Sequence, residues 1–217
     1  MRSKYIVLFC ILMLITQACV LLGRFSEPSI SDLNSNILFK DDFSEPSSGW
    51  DRVNRANGIT DYVDGAYRIF VNTPSYDIWA NPGLGFSDTI IEVEAEKVAG
   101  PEDNDFGIIC RYQGPQNYYS FLISSDGYYG IVKVVDGQQE LIDEHTMAYS
   151  EVIRKGEASN KLNVKCIGNR LSLSVNGSLL AEVNDTAFTS GDVGLIAGTF
   201  DIAGTDIYFD NFIVSNP

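Results

Sequence analysis

From Leu38 to the end of the chain, apolar and polar residues alternate over short runs, and turn residues break the pattern about every 8–12 positions. Asp105–Gly137 (DFGIICRYQGPQNYYSFLISSDGYYGIVKVVDG) shows this most fully. It predicts three successive strands, Phe106–Tyr112, Tyr118–Ser124 and Tyr129–Val135. Gln-Gly-Pro-Gln-Asn and Ser-Asp-Gly turns separate them, and Asp136-Gly137 closes the last. Further strands are predicted at Leu38–Phe43, in a pair around Asp64-Gly65 within Asp61–Val71, at Tyr76–Ala80 and at Ile90–Val98. The set is completed by Lys161–Ile167, Arg170–Val175, Ser178–Val183, Asp192–Phe200 and Asp206–Val214. Asn176-Gly177 between two alternating runs is a strong hairpin signal, because both central residues of a type I′ turn need positive φ. No helical period persists anywhere in this region. The expected architecture is all-β, with two antiparallel sheets packed as a sandwich.

The first 36 residues carry a different pattern. Met1-Arg-Ser-Lys4 is a basic head, Tyr5–Ile15 is apolar, and Thr16-Gln-Ala-Cys19 follows. That order is a secretory signal over residues 1–18, with Cys19 as the lipidated first residue of a mature lipoprotein. An uncleaved anchor over Tyr5–Leu22 and free secretion after ordinary cleavage are the alternatives. All three place the folded domain outside the cytoplasm, and the first two tether it to a membrane. Arg24–Asn36 (RFSEPSISDLNSN) reads as a spacer, so the chain divides into a signal (1–18), a linker (19–36) and one domain (37–217).

Composition narrows the partners. The 217 residues hold 15 bases and 29 acids, a net charge of −14; loss of residues 1–18 removes Arg2 and Lys4 and no acid, leaving −16. Such a surface repels phosphate backbones, so nucleic acid is not an expected partner. Hydrophobic residues make up 45% of the chain, enough for one sizeable core.

Cys110 and Cys166 lie inside predicted strands, and in an oxidising compartment they are expected to pair. Two buried free thiols are the alternative. The single histidine, His145, falls in a polar segment, and the chain has no Gly-x-Ser-x-Gly elbow, Walker loop or Cys/His metal spacing. Glu92, Glu94 and Glu96 alternate with Ile91, Val93 and Ala95. This places three carboxylates on one strand face, either as catalytic acids or as the solvated side of an ordinary strand. Sugar recognition needs flat aromatic faces and a few directional polar groups. Trp79, Arg111, Tyr118, Tyr128 and Lys133 are the candidates, with Arg111 and Lys133 expected to project from one sheet face.

The chain resembles the concanavalin A-like lectin/glucanase superfamily, whose fold is a laminin-G-type jelly roll. The resemblance rests on Leu38-Phe39-x-Asp-Asp-Phe43 with Trp50 downstream, Val63-Asp-Gly-x-Tyr67, and the FGIICRYQ…NYYSFLIS…DGYYGIVK meander. Val175-Asn-Gly177, GDVGLIAGTF (191–200) and YFDNFIV (208–214) complete it. Within the superfamily it looks nearest to the 3-keto-disaccharide hydrolase-type domain, but Tyr118-Tyr-Ser-Phe-Leu122 has no acid where that family carries one. The resemblance implies a glycan-facing concave sheet and, from laminarinase-like members, a reading of Glu92, Glu94 and Glu96 as nucleophile, helper and acid. It also implies a structural Ca²⁺ near the paired termini, for which Asp41, Asp42 and Asp210 are the ligand candidates; no other cofactor is expected. The expected function is a non-catalytic carbohydrate-binding or adhesion module of the cell envelope. A glycoside hydrolase and a protein-binding scaffold are the alternatives.

Overall fold

A computed structural model describes residues 36–143 and 146–217. The signal, Cys19, the linker as far as Ser35, and His145 lie outside the described residues. Among the described residues, sixteen strands make up the fold. In chain order they are β1 (Ile37–Asp41), β2 (Val53–Arg55), β3 (Gly58–Val63), β4 (Ala66–Val71), β5 (Tyr76–Ala80) and β6 (Thr89–Ala99). There follow β7 (Asn104–Tyr112), β8 (Tyr118–Ile123), β9 (Tyr128–Val135), β10 (Gln138–Leu141) and β11 (Ala148–Tyr149). The last are β12 (Ser159–Ile167), β13 (Arg170–Val175), β14 (Ser178–Asn184), β15 (Asp192–Thr199) and β16 (Thr205–Ser215).

They form two antiparallel sheets. The nine-stranded sheet runs β14-β13-β12-β6-β16-β4-β3-β2, with β1 also paired to β16. The seven-stranded sheet runs β10-β9-β8-β7-β15-β5, with β11 paired to β9. First and last strands thus lie side by side, Asp41 opposite Phe212. The turns behave as their residues dictate. Asp64-Gly65, Asp136-Gly137 and Asn176-Gly177 all adopt positive φ at both positions, the hairpin geometry whose twist matches the strands. Three strands are absent from the sequence reading: β2, β10 and β11, of two to four residues each, too short to show an alternation.

Period-two alternation builds the core. In β6, Ile91, Val93 and Ala95 are buried while Glu94 and Glu96 are exposed. Leu162 on the neighbouring β12, and Phe106, Ile108, Tyr119, Phe121 and Leu195 across the sandwich, share the same interior. At one end Trp50 packs edge-on against Phe212, with centroids 5.0 Å apart, and beside Phe43 and Tyr67. Its indole N–H donates to Asp41 Oδ2 at 2.9 Å. Cys110 of β7 is bonded to Cys166 of β12, with Cα atoms 6.9 Å apart, so the expected disulfide is present and joins the two sheets.

The three acids expected to hold calcium are engaged with nearby protein groups. Asp41 spends one oxygen on the Trp50 indole and the other on the Phe43 N–H, while Asp42 is taken up by Ser44 and Asp210 by the Asn211 N–H. Among the described residues no group of three or more His, Cys, Asp or Glu could hold a metal ion. These acids organise backbone at a strand end, the alternative use of short polar side chains.

Candidate functional site

The outer faces of the two sheets differ in kind. That of the nine-stranded sheet is laced with ion pairs: Arg68 with Asp206 at 2.7 Å in a bidentate pair, Lys161 with Glu92 at 3.0 Å, and Arg170 with Glu182 at 2.7 Å. Glu92 also accepts from Asn163 at 2.8 Å. Glu92 is thus held by protein groups while Glu94 and Glu96 are exposed beside it, on the sheet opposite the one carrying Trp79 and Tyr118.

The outer face of the seven-stranded sheet carries a second apolar cluster. Ile109, Tyr118, Leu122, Val132, Val134 and Ile196 form it, with Trp79, Tyr112, Leu141 and Met147 packed against it. Its central strand β8 is buried at all six positions, on both faces. A sandwich sheet usually leaves its outer face polar. Trp79, Tyr112 and Tyr118 group together there: ring centroids are 6.1 Å apart for Trp79–Tyr118 and 5.8 Å for Tyr112–Tyr118, and the Trp79 indole donates to the Tyr112 hydroxyl at 3.2 Å. Tyr118 is buried, while Trp79 and Tyr112 keep partial access to solvent.

A β-bulge puts Tyr112 in this group. Between Ile109 and Tyr112, β7 uses one residue more than β15 does between Gly194 and Asp192. Arg111 takes φ = 53° at this point. The extra residue exchanges the faces, as bulges do. Tyr112 turns outward to Trp79, and Arg111 turns to the inter-sheet end, where it is 2% exposed. Its guanidinium donates to the Phe188 carbonyl at 2.8 Å and to Asp88 Oδ1 at 3.2 Å.

The expectation that Arg111 and Lys133 share a ligand-facing surface is therefore corrected. Lys133 pairs in register with the inward Tyr119 and lies 2.7 Å from Asp185 and 3.1 Å from Glu140. Its hydrogen bond to Asp185 raises its pKa. Burial opposes ionisation of Asp185, but hydrogen bonds from Lys133, Tyr119 and the Ala187 N–H outweigh it and hold the carboxyl below its ordinary range. Arg111 and Lys133 are the two bases in the seven strands, and both serve the loop between β14 and β15 rather than the outer face.

At the other end of the aromatic group the register aligns Asp77, Gly198 and Asp105 across β5, β15 and β7. Tyr128 belongs to the neighbouring end of β9, where it packs against Tyr149 with centroids 5.5 Å apart, away from Trp79 and Tyr118. A methyl group built on Gly198 would overlap both Asp77 Oδ1 and Asp105 Oδ1, so the two carboxyls converge on the space its hydrogen leaves open. Asp105 is 7% exposed and its Oδ1 has no hydrogen-bond partner. Burial, with the charges of Asp77 and Asp103 beside it, pushes its pKa up to about 8; burial also raises Asp77. The phenol of Tyr118 is pushed up to about 12 by burial and by the nearby Asp77. Asn104 steadies the start of β7, accepting from the Ser125 N–H at 3.0 Å and donating to the Pro101 carbonyl at 2.7 Å. Asp77 and Trp79 also line a cavity of 160 Å³ together with Tyr76, Ile78, Val53, Arg55 and Gly58.

Sequence reasoning missed Tyr112, Asp77 and Asp105. Two signals point to them. One is the run of β8, apolar or aromatic at every position but Ser120, which marks a strand covered on both faces. The other is the set of strand glycines 107, 130, 194 and 198, which mark close approach of other groups.

No family model matches this chain, and no curated protein does. Solved structures do. The carbohydrate-binding module CBM66 from Bacillus subtilis superposes with a TM-score of 0.64 at 17% identity, over 78% of this chain and 96% of that one. A Bacillus subtilis protein with a galectin-like fold gives 0.64 at 11% identity, over 83% and 96%. The Bacillus licheniformis β-glucanase gives 0.58 at 10% identity, over 82% and 97%. One architecture thus carries a carbohydrate-binding module and a glucanase alike, and at these identities the likeness concerns the fold. The described domain has a jelly-roll β-sandwich fold, which it shares with these proteins.

Proposed function

We propose that the domain is a non-catalytic carbohydrate-binding module of the cell envelope, tethered through lipidated Cys19, that takes glycan on the outer face of its seven-stranded sheet. The observation that carries this reading is the Trp79–Tyr112–Tyr118 group lying outside the core on an outer sheet face, beside two carboxyls. Flat rings offer large contact area at small entropic cost, and the adjoining polar groups supply direction. The carbohydrate-binding module among the similar structures supports it. A glycosidase built on Glu92, Glu94 and Glu96 gains no support from their geometry, since Glu92 is already held by Lys161 and Asn163.

A glycan array followed by titration calorimetry tests the proposal. Trp79→Ala and Tyr112→Ala are expected to weaken binding at least tenfold, and Glu92→Gln to leave it unchanged. Binding that survives loss of both rings, or release of reducing sugar that Glu92→Gln abolishes, would overturn it. Mass spectrometry of the mature N-terminus tests the tether: a diacylated Cys19 is expected, and an intact Met1 or an unmodified start would exclude it.

A further inference from the structure

We infer that Asp77 and Asp105 form a polar subsite, resting on the carbohydrate-binding reading above, that receives adjacent hydroxyl groups of a neutral sugar beside Trp79. Three independent observations converge on it. Asp105 Oδ1 is a buried acceptor with no partner. A buried polar atom left unmatched is costly, and in native structures it commonly marks a place where another molecule completes the set. Gly198 then keeps the floor clear, because any side chain there would collide with both carboxyls. Finally, Asp77 and Trp79 stand two residues apart on β5 and so share its outer face, where Trp79 packs against the apolar cluster, and a 160 Å³ cavity runs along the edge of the same strand.

Neither acid has an ion-pair partner among the described residues. Two like charges this close do not both ionise, so the pair holds one proton between them near neutral pH. In that state the site offers one O–H donor and three further acceptor oxygens. A sugar diol presents the complement: each hydroxyl donates to a carboxyl oxygen, and one of the two accepts from the single carboxyl O–H. The chemistry selects against acidic sugars. A uronate or sulfate ester would bring a third negative charge to the pair, and the sheet's own bases, Arg111 and Lys133, are engaged on the other side. Arg55 lines the cavity as well, but on an exposed edge strand.

The test uses the full chain and two sets of probes: neutral glucan, xylan and mannan oligosaccharides, and acidic galacturonate and alginate oligosaccharides. Binding to one or more neutral probes is expected, at least tenfold stronger than to any acidic one. Asp77→Asn and Asp105→Asn should each reduce neutral binding at least tenfold while circular dichroism stays unchanged. Trp79→Ala should reduce it too. Glycan binding that needs Trp79 but stays within twofold in both Asn variants would overturn the subsite and leave the binding reading standing. Equal or better binding of acidic probes would overturn the subsite as well. No binding to any probe would overturn both.

Discussion

Arg111 and Lys133 clamp a single loop. The guanidinium of Arg111 donates to the Phe188 carbonyl, and the ammonium of Lys133 lies 2.7 Å from Asp185, three residues earlier in the chain. Tyr119 stands between them, donating to Asp185 and accepting from the Phe188 N–H. Two cations that interrupt apolar strands thus brace the seven-stranded sheet against the chain that enters β15.

Arg111→Ala is expected to destabilise the domain without abolishing ligand binding. Removal of the guanidinium leaves the Phe188 carbonyl short of a donor and opens space beside Phe188. The loss is about 2 kcal/mol, since the Asp88 contact is half in water and adds little. Thermal unfolding should fall by roughly 5 °C. Glycan affinity within twofold of the wild type would agree with this role. A loss of affinity with stability intact would place Arg111 at the ligand instead.

The Cys110–Cys166 bond closes a sequence separation of 56 residues. In the chain-entropy account a loop of that length stabilises the folded state by about 4 kcal/mol. Paired replacement by Ala, or reduction under denaturant, should lower the unfolding midpoint accordingly. A midpoint unmoved by reductant would show that the sheets hold together by packing alone.

Much of this was legible because alternation is a local property. Ile91, Val93 and Ala95 could face only one way once Glu92, Glu94 and Glu96 faced the other, and Asn176-Gly177 fixed its own hairpin. The cysteine pair followed from two apolar strand positions and the expectation of an oxidising compartment. The site was less legible, for a reason equally local. One extra residue at Arg111 reverses the face of every position after it, and no periodicity announces where a strand bulges. The convergence of Asp77 and Asp105 depends on β5 and β7 flanking β15, which joins residues far apart in the chain.

Trp50 and Asp41 provide a test of the strand-end network. The indole N–H satisfies one oxygen of a buried carboxylate that also receives the Phe43 N–H at 2.8 Å. Trp50→Phe keeps most of the ring contact with Phe212 and Tyr67 but removes that donor. A cost of about 2 kcal/mol is expected, from an acceptor left unmatched in the interior. Urea unfolding should show a lower midpoint with the same slope. A stability equal to the wild type would mean that water replaces the indole there.

The carboxyl pair makes stability depend on pH in a defined sense. Asp105 titrates near its ordinary value, about 4, when unfolded, but its folded value is raised to about 8. Between those limits the folded protein keeps a proton that the unfolded chain has released. Folding therefore takes up a proton, and stability falls as pH rises through this window. The slope reaches about 1.4 kcal/mol per pH unit and flattens above the folded value. Asp77 and Asp103 are the acids that face this group, and the Tyr118 phenol, pushed up to about 12, stays neutral throughout. Asp105→Asn removes the ionisable partner while preserving shape, so it should flatten the slope and unfold at higher temperature than the wild type at pH 8. At pH 4 the two should differ little. Thermal scans from pH 4 to pH 9 measure this directly, and parallel curves for the two proteins would show that Asp105 ionises normally and that the pair holds no shared proton.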